Sequence, residues 1–306
     1  MARREHHTPR AYLQRFAAQD TERRAPFVWT ADRTDQRVYR QSPRKAAAIE
    51  GFYDWRDPQL KEQAADVETL LAEIESRTLP VFDALIAGKP VLDEQARYYM
   101  ATYVAFQLGR SPTFRDAAKK AVEAMALEAA LKLLDETSLA SIQPPPSGAG
   151  LDRSAIREAL TSGRVRPSAN PDYLVQGQLA AGHELTRDVF VGEWLVLVPG
   201  TGSEPFLTSD NPVVMLTPDG QPRNRGSTDL SYFFPLAPSA ALLIRWARQD
   251  EVAVEFASAN ANQTRALNKQ IASLARRHVF TSHEEQAEWA LSVPRGPNLV
   301  GVQSGS

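Results

Sequence analysis

Cysteine is missing from all 306 residues of this chain. That absence excludes disulfides, thiolate metal ligands and a cysteine nucleophile. Any metal site must be built from His, Asp or Glu. Long apolar runs are missing too, so no segment reads as a membrane span, and Met1–Arg10 lacks the apolar core of a signal peptide. The chain therefore reads as cytoplasmic, with no membrane partner. There is no phosphate-binding glycine loop, no HExxH and no GxSxG. Gly200-Thr201-Gly202 lacks the strand–turn–helix setting of a nucleotide fingerprint. Net charge is only −2, which argues against a strongly basic nucleic-acid module.

What is present is an ordinary globular composition, 43% hydrophobic and 24% charged. The small net charge hides an uneven distribution. Residues 1–45 hold 11 Lys/Arg against 5 Asp/Glu, a surplus of +6 that leaves −8 for the rest. A basic segment of this kind suits an anionic partner, a nucleic acid or a phosphorylated small molecule. The plainer reading is a solvated, arginine-rich surface.

The first of these basic stretches is also the most patterned. In HHTPRAYLQRF (His6–Phe16), Pro9 holds the chain extended, and Tyr12, Leu13 and Phe16 recur at helical spacing. The triplet reads as an anchor to a core. Adjacent histidines on an extended segment point to opposite sides, so His6 and His7 do not face one metal together.

Downstream, Pro26–Asp32 and Arg37–Gln41 read as a hairpin about the turn-prone Arg33–Gln36. Helical patterns follow over 59–87, 92–109 and 113–135. The first carries Val67, Leu70, Leu71, Ile74, Val81 and Leu85 on one stripe. Ile142–Gly150 is the best linker candidate. Shorter helices are expected near 152–162 and 171–191. From Trp194 the period shortens: WLVLV, PFLTSD, VVMLT, FFPLA, ALLIRW and VAVEF read as strands of an antiparallel sheet, with a turn at Pro218-Asp219-Gly220. Helices over 261–277 and 284–290 close the pattern. The fold class is α+β, a helical N-terminal half packed with a mostly antiparallel C-terminal sheet. One composite domain is expected over 1–306: helix-rich to 192, sheet-containing over 193–290, with a flexible tail at 291–306.

Four places carry residue types suited to chemistry. His6 has the ring of a general base or metal ligand; the plain reading is an exposed or core-satisfying histidine. Glu75 lies on the shoulder of the Val67–Leu71–Ile74–Phe82 stripe, where apolar neighbours favour acid–base use; the alternative is a boundary carboxylate paired with an arginine. Arg110 ends a stripe of Tyr99, Tyr103, Phe106 and Gln107, where its planar fork suits a phosphate or carboxylate. The alternative there is a cation at a helix C-terminus. Ser209-Asp210-Asn211-Pro212 follows a strand, a usual place to display functional groups and an equally usual turn. His183, His278 and His283 read as structural.

Together these signposts resemble the bacterial family catalogued as domain of unknown function 4238. Its opening HxxPxxYLxxF is matched by His6, Pro9, Tyr12, Leu13 and Phe16. The resemblance runs on through Phe52-Tyr53, Glu73-Ile74-Glu75, Gln107 with Arg110-Ser111-Pro112, Phe206–Pro212 and Phe234–Pro238, and into the closing helix with Asn268, Ala275 and Ser282. It implies one domain over roughly 5–283, favours His6 over His7, and brings no assigned activity. The leading expectation is a hydrolase or nuclease acting on a phosphate-bearing substrate, nucleic acid or nucleotide. In it His6, Glu75, Arg110 and Asp210 form the catalytic pocket, Gln107, Ser209 and Asn211 bind substrate, and a divalent metal ion serves as a candidate cofactor. The alternative is a non-catalytic anion-binding or protein-interaction module. A purely structural partner protein is a third reading; it would leave these side chains scattered and separately satisfied.

Overall fold

The opening Tyr12–Leu13–Phe16 triplet is fully buried, as part of one of two apolar clusters. The structure is a computed structural model that describes residues 4–6, 8–20, 25–46, 48–50, 58–89, 93–135, 152–219, 221, 227–246 and 254–296. Its side chains are described from Thr8 onward, apart from residues 48–50, 58–68 and 135. His7, Phe52-Tyr53, the Ile142–Gly150 linker, Gly220 and residues 297–306 lie outside the described residues.

In chain order the elements are β1 (Arg4–His6), α1 (Arg10–Gln14), β2 (Ala18–Asp20), β3 (Ala25–Asp32), β4 (Arg37–Gln41), β5 (Ala48–Glu50), α2 (Pro58–Ile86) and α3 (Glu94–Gly109). They continue with α4 (Pro112–Asp135), α5 (Arg153–Thr161), α6 (Pro171–Val191), β6 (Glu193–Pro199), β7 (Thr208–Ser209), β8 (Val214–Leu216) and β9 (Ser231–Ala237). The last are β10 (Ala240–Arg245), β11 (Val254–Ala259), α7 (Ala261–Leu274), β12 (His278–Thr281) and α8 (Glu284–Ser292). The α+β class stands: helices dominate the N-terminal half and strands the C-terminal half.

Pro9 acts as expected, extended at φ −59, ψ 140 just before the short α1. The hairpin expected at Pro26–Gln41 is present, and its turn is built by Asp32. One carboxylate oxygen accepts the N–H groups of Thr34 and Asp35 at 3.0 and 3.1 Å, and Gln36 takes the left-handed conformation at φ 50. The hairpin is not isolated, however. β3 also pairs with β2 and β12, and β12 pairs with β7, so a second sheet is assembled from both ends of the described chain. Short strands β1, β2, β5 and β12 carry too few residues to show a period of two, which is why pattern alone passes over them.

The C-terminal sheet has the order β11-β6-β10-β9-β8 and is antiparallel except where β11 runs parallel to β6. Pro235 sits within β9 opposite Ala241, beside a register shift on β10 that accommodates its missing N–H. The helix expected over 261–277 stops at Leu274, because Ala275 turns extended at ψ 131. Asp210 then takes the backbone donors of the next three residues.

α3 is the central helix, buried at every position from Met100 to Arg110. α6 crosses it closely at two glycines. A Cβ at Gly109 would lie 2.9 Å from the Gln178 carbonyl oxygen, and one at Gly182 would lie 3.1 Å from the Phe106 ring. Arg97 fastens the other end. It donates to the Phe190 and Gly192 carbonyls at the C-terminus of α6 and stacks over Trp194 at 4.2 Å. One apolar cluster joins Tyr12, Phe16, Phe82, Met100, Val104 and Trp194 to the sheet residues Val196, Phe234 and Leu242. On α2 the expected stripe is buried at Leu71, Ile74, Val81 and Leu85, but Leu70 is half exposed.

Candidate functional site

Asp93 caps α3 by accepting the Ala96 N–H at 2.6 Å, which fixes the helix start and so the azimuth of its last turn. Its last two turns carry Tyr103 and Gln107, and Arg110 follows at the C-cap, at i, i+4 and i+7 on one face of the helix. Arg110 Nη2 donates to Glu75 Oε1 at 3.2 Å, with the Arg110 side chain 5% exposed and that of Glu75 30% exposed. The pair therefore spans from interior to surface, its cation inside and its carboxylate reaching water.

Tyr103 belongs to the same cluster. Burial pushes its hydroxyl well above the ordinary tyrosine value; the nearby negative Glu75 adds to this, and Arg110 opposes it. Its ring meets Phe82 edge-on at 5.4 Å. One turn away, Gln107 is fully buried, and neither its amide nitrogen nor its amide oxygen has a hydrogen-bond partner among the described residues. A buried primary amide with neither end paired is unusual, because each unpaired end costs about 1–3 kcal/mol.

α1 closes the cluster from the side. Tyr12 Oη donates to the Pro235 carbonyl at 2.7 Å and lies 2.7 Å from the Thr208 hydroxyl. Its ring stacks on Phe234 at 5.1 Å, and burial pushes its hydroxyl far above the ordinary value. Arg15 reaches across to α2, donating to Asp83 at 2.8 Å and lying over the Phe82 ring at 4.9 Å. The apolar spacing of the opening motif marked Tyr12 only as core. That its oxygen bridges two strands has no sequence signal beyond the choice of tyrosine over phenylalanine.

The Ser209–Asn211 segment has a different setting. Ser209 Oγ accepts the Asn211 N–H at 3.1 Å and donates to the Asn211 carbonyl at 2.9 Å, closing a local turn. Asp210 is 3% exposed and accepts three consecutive backbone N–H groups, from Arg276, Arg277 and His278, at 2.8–2.9 Å. Burial pushes its carboxyl above the ordinary aspartate value, while the N–H donors and His278 pull it back. Asn211 Nδ2 donates to the Leu274 carbonyl at 3.3 Å. Asp210 and Asn211 thus tie the β7 end to the α7–β12 junction, while Ser209 closes the turn between them.

Asp32, which the sequence did not single out, lies in the neighbouring network. Arg277 grips it through Nε at 3.1 Å to both oxygens and through Nη2 at 2.8 Å, and His278 Nε2 lies 3.5 Å away. Burial alone would raise the Asp32 carboxyl, but these donors hold it below the ordinary range. Arg33 is buried beside it and donates to the Ala272 and Val293 carbonyls.

Of the predicted site residues, then, Glu75, Gln107 and Arg110 come together at the α2–α3 junction. Ser209, Asp210 and Asn211 come together at the β7 end. His6 lies in β1, paired opposite Ala48 of β5, and its side chain is outside the described residues. Two open grooves flank α6, one of about 720 Å³ lined by Tyr98, His183 and Phe190, the other of about 580 Å³ lined by Arg115, Lys119 and Asn170. None of the six predicted residues whose side chains are described lines either. Among the described residues, no group of three His, Asp or Glu is placed to hold a metal ion, and no helix is long and apolar enough to cross a membrane.

Residues 4–285 match the model of the family described as "Protein of unknown function (DUF4238)". The chain belongs to this family. No curated protein and no solved structure matches it. The family match covers both polar clusters, from the opening motif through the α2–α3 junction to the β7–β12 junction.

Proposed function

We propose that the protein is a hydrolase acting on a phosphate-bearing substrate, nucleic acid or nucleotide, and that the Glu75–Arg110–Gln107 cluster is its reacting centre. The observation that carries this reading is the buried Arg110 held by a carboxylate that reaches solvent, beside an amide with neither end paired. A guanidinium kept in a low-dielectric wall stabilises charge developing on phosphoryl oxygens more strongly than an exposed one. Glu75, at the solvent edge of the pair, takes the proton of the attacking water as the P–O bond to the leaving group breaks. Gln107 supplies one donor and one acceptor to orient the substrate. His6 adds a second acid–base group from the segment leading into α1.

In this reading Asp210 is a positioning residue. Its oxygens are occupied by backbone donors, and with Ser209 and Asn211 it holds the strand on which Thr208 meets Tyr12. Among the described residues, no group of three His, Asp or Glu is placed to hold a divalent ion.

The test is hydrolysis of RNA, single- and double-stranded DNA and nucleoside triphosphates by the purified chain, with magnesium, manganese or zinc added in turn. The expected result is turnover of at least one substrate, reduced about 100-fold or more by Glu75→Gln or Arg110→Met. Intact substrates under every condition, or full activity in Arg110→Met, overturn the reading. Saturable, salt-sensitive binding without turnover assigns the cluster to anion binding instead.

A further inference from the structure

We propose that the larger of the two grooves beside α6 binds a small zwitterionic aromatic molecule, with its amine at the start of α3 and its carboxylate toward the middle of α6. The volume of about 720 Å³ falls within the range of small-molecule sites. The groove lies at the opposite end of α3 from Gln107 and Arg110, and it is independent of the hydrolase reading.

Helix packing fixes the order of groups along the groove. α3 and α6 run antiparallel: Gly109 packs against Gln178 and Gly182 at one end, and Arg97 donates to the Phe190 and Gly192 carbonyls at the other. Tyr98 is therefore level with Phe190, and their rings meet edge-on at 6.3 Å. On α3, Glu94 precedes Tyr98 by one turn on the same face. On α6, His183, Thr186, Arg187 and Phe190 share a face at i, i+3, i+4 and i+7. Because the helices are antiparallel, Arg187 and His183 stand on the far side of the ring pair from Glu94. The groove has an acid end, an aromatic middle and a basic end.

Each part is open to a ligand. Glu94, His183 and Arg187 are exposed, and Tyr98 is 47% exposed. Tyr98 is steadied by Phe190 and by Tyr99, whose ring lies 6.2 Å away, so it presents a fixed stacking face. Asp93 adds charge at the acid end, although one of its oxygens caps the Ala96 N–H at 2.6 Å. Thr186 is buried beneath, its hydroxyl spent on the Gly182 carbonyl at 2.9 Å.

Four residues of α3 and three of α6 separate the levels of Glu94 and Arg187, about 10 Å along the helices. A benzene ring with an amine on one arm and a carboxylate on the opposite arm spans that distance. Its ammonium meets Glu94, its ring lies on Tyr98, and its carboxylate meets the planar fork of Arg187. A ligand carrying charge of one sign alone gains at one end of the groove and is opposed at the other.

The experiment is calorimetric titration of the full chain, at low salt, with para-(aminomethyl)phenylacetate, phenylacetate and benzylamine. The first probe is expected to bind in the millimolar range, about five-fold tighter than either single-charge probe. Glu94→Gln should weaken the first probe and benzylamine without weakening phenylacetate. Arg187→Gln should weaken the first probe and phenylacetate without weakening benzylamine. Both positions are exposed, so the melting temperatures of these variants stay close to that of the parent. Tyr98→Ala should remove binding of all three probes. Absence of saturation by the first probe at about 20 mM overturns the proposal. So do equal affinities for the three probes, or binding that Tyr98→Ala leaves intact.

Discussion

Two of the buried polar clusters among the described residues are satisfied very differently. At the β7–β12 junction, Asp210 accepts three backbone N–H groups and Asp32 accepts a two-nitrogen grip from Arg277 together with the two N–H groups of its own turn. Among the described residues, Arg33 Nε and Asn211 Oδ1 are the buried side-chain atoms there without partners. At the α2–α3 junction, Arg110 donates to Glu75 at 3.2 Å, and neither end of the Gln107 amide has a partner among the described residues. The first arrangement is what a scaffold needs where a helix stops and a strand begins. The second leaves the buried Gln107 amide unpaired among the described residues, which costs stability; under the proposed function a substrate uses it. The contrast separates polar groups whose bonding capacity is spent on the scaffold from one buried amide, Gln107, whose capacity is not.

The comparison can be broken at its strong end first. Asp210→Leu strands three buried N–H groups and is expected to cost about 3 kcal/mol or more in denaturant-unfolding free energy; a loss below about 1 kcal/mol would remove Asp210 from the scaffold. Gly109→Ala drives a Cβ into the Gln178 backbone and should cost about 1–3 kcal/mol, with activity falling as α3 is displaced. Asp32 sharpens the same side through pH. Its folded carboxyl is held below the value of about 3.9 it has when unfolded, so its contribution is complete above that pH and is lost as pH falls toward the folded value. Asp32→Asn should therefore flatten the fall in melting temperature between about pH 5 and pH 2. Because Arg277 is nearly half exposed, it should cost only about 1 kcal/mol at pH 7. At the weak end, Glu75→Gln keeps an acceptor for Arg110 at a partly exposed position. Circular dichroism melts should show a change worth less than about 1 kcal/mol, while turnover is lost.

Much of the architecture is legible in the sequence because it is written in long periodic segments. The boundaries of α2, α3, α4 and α6 follow from apolar spacing and from the stops at Gly88 and Ser111-Pro112. The Pro26–Gln41 hairpin follows from its turn. The second sheet does not, because three- and four-residue strands such as β2 and β12 have no period to read and are specified by partners far away in the chain; PFLTSD reads as a strand, but β7 within it joins this second sheet and not the C-terminal one. The early end of α7 is hidden for the same reason: Asp210, more than sixty residues upstream, takes the N–H groups that would have continued past it. The site divides along this line. Glu75 and Arg110 lie on long helices whose faces can be drawn from sequence, so their meeting was foreseeable. Ser209, Asp210 and Asn211 carry the residue types of a site, and spacing alone does not reveal that the backbone of 276–278 occupies Asp210. Gln107 was visible as a helix-face neighbour of Arg110, but its lack of partners is a property of packing.

The most direct test is the unfolding free energy of Gln107→Met, which replaces the amide by an apolar side chain of similar shape. If the α2–α3 junction keeps polar groups unpaired for a substrate, the variant is as stable as the parent or up to about 1 kcal/mol more stable. A loss of about 2 kcal/mol or more would show the amide to be as firmly engaged as Asp210, and would contradict the assignment of the site to this junction.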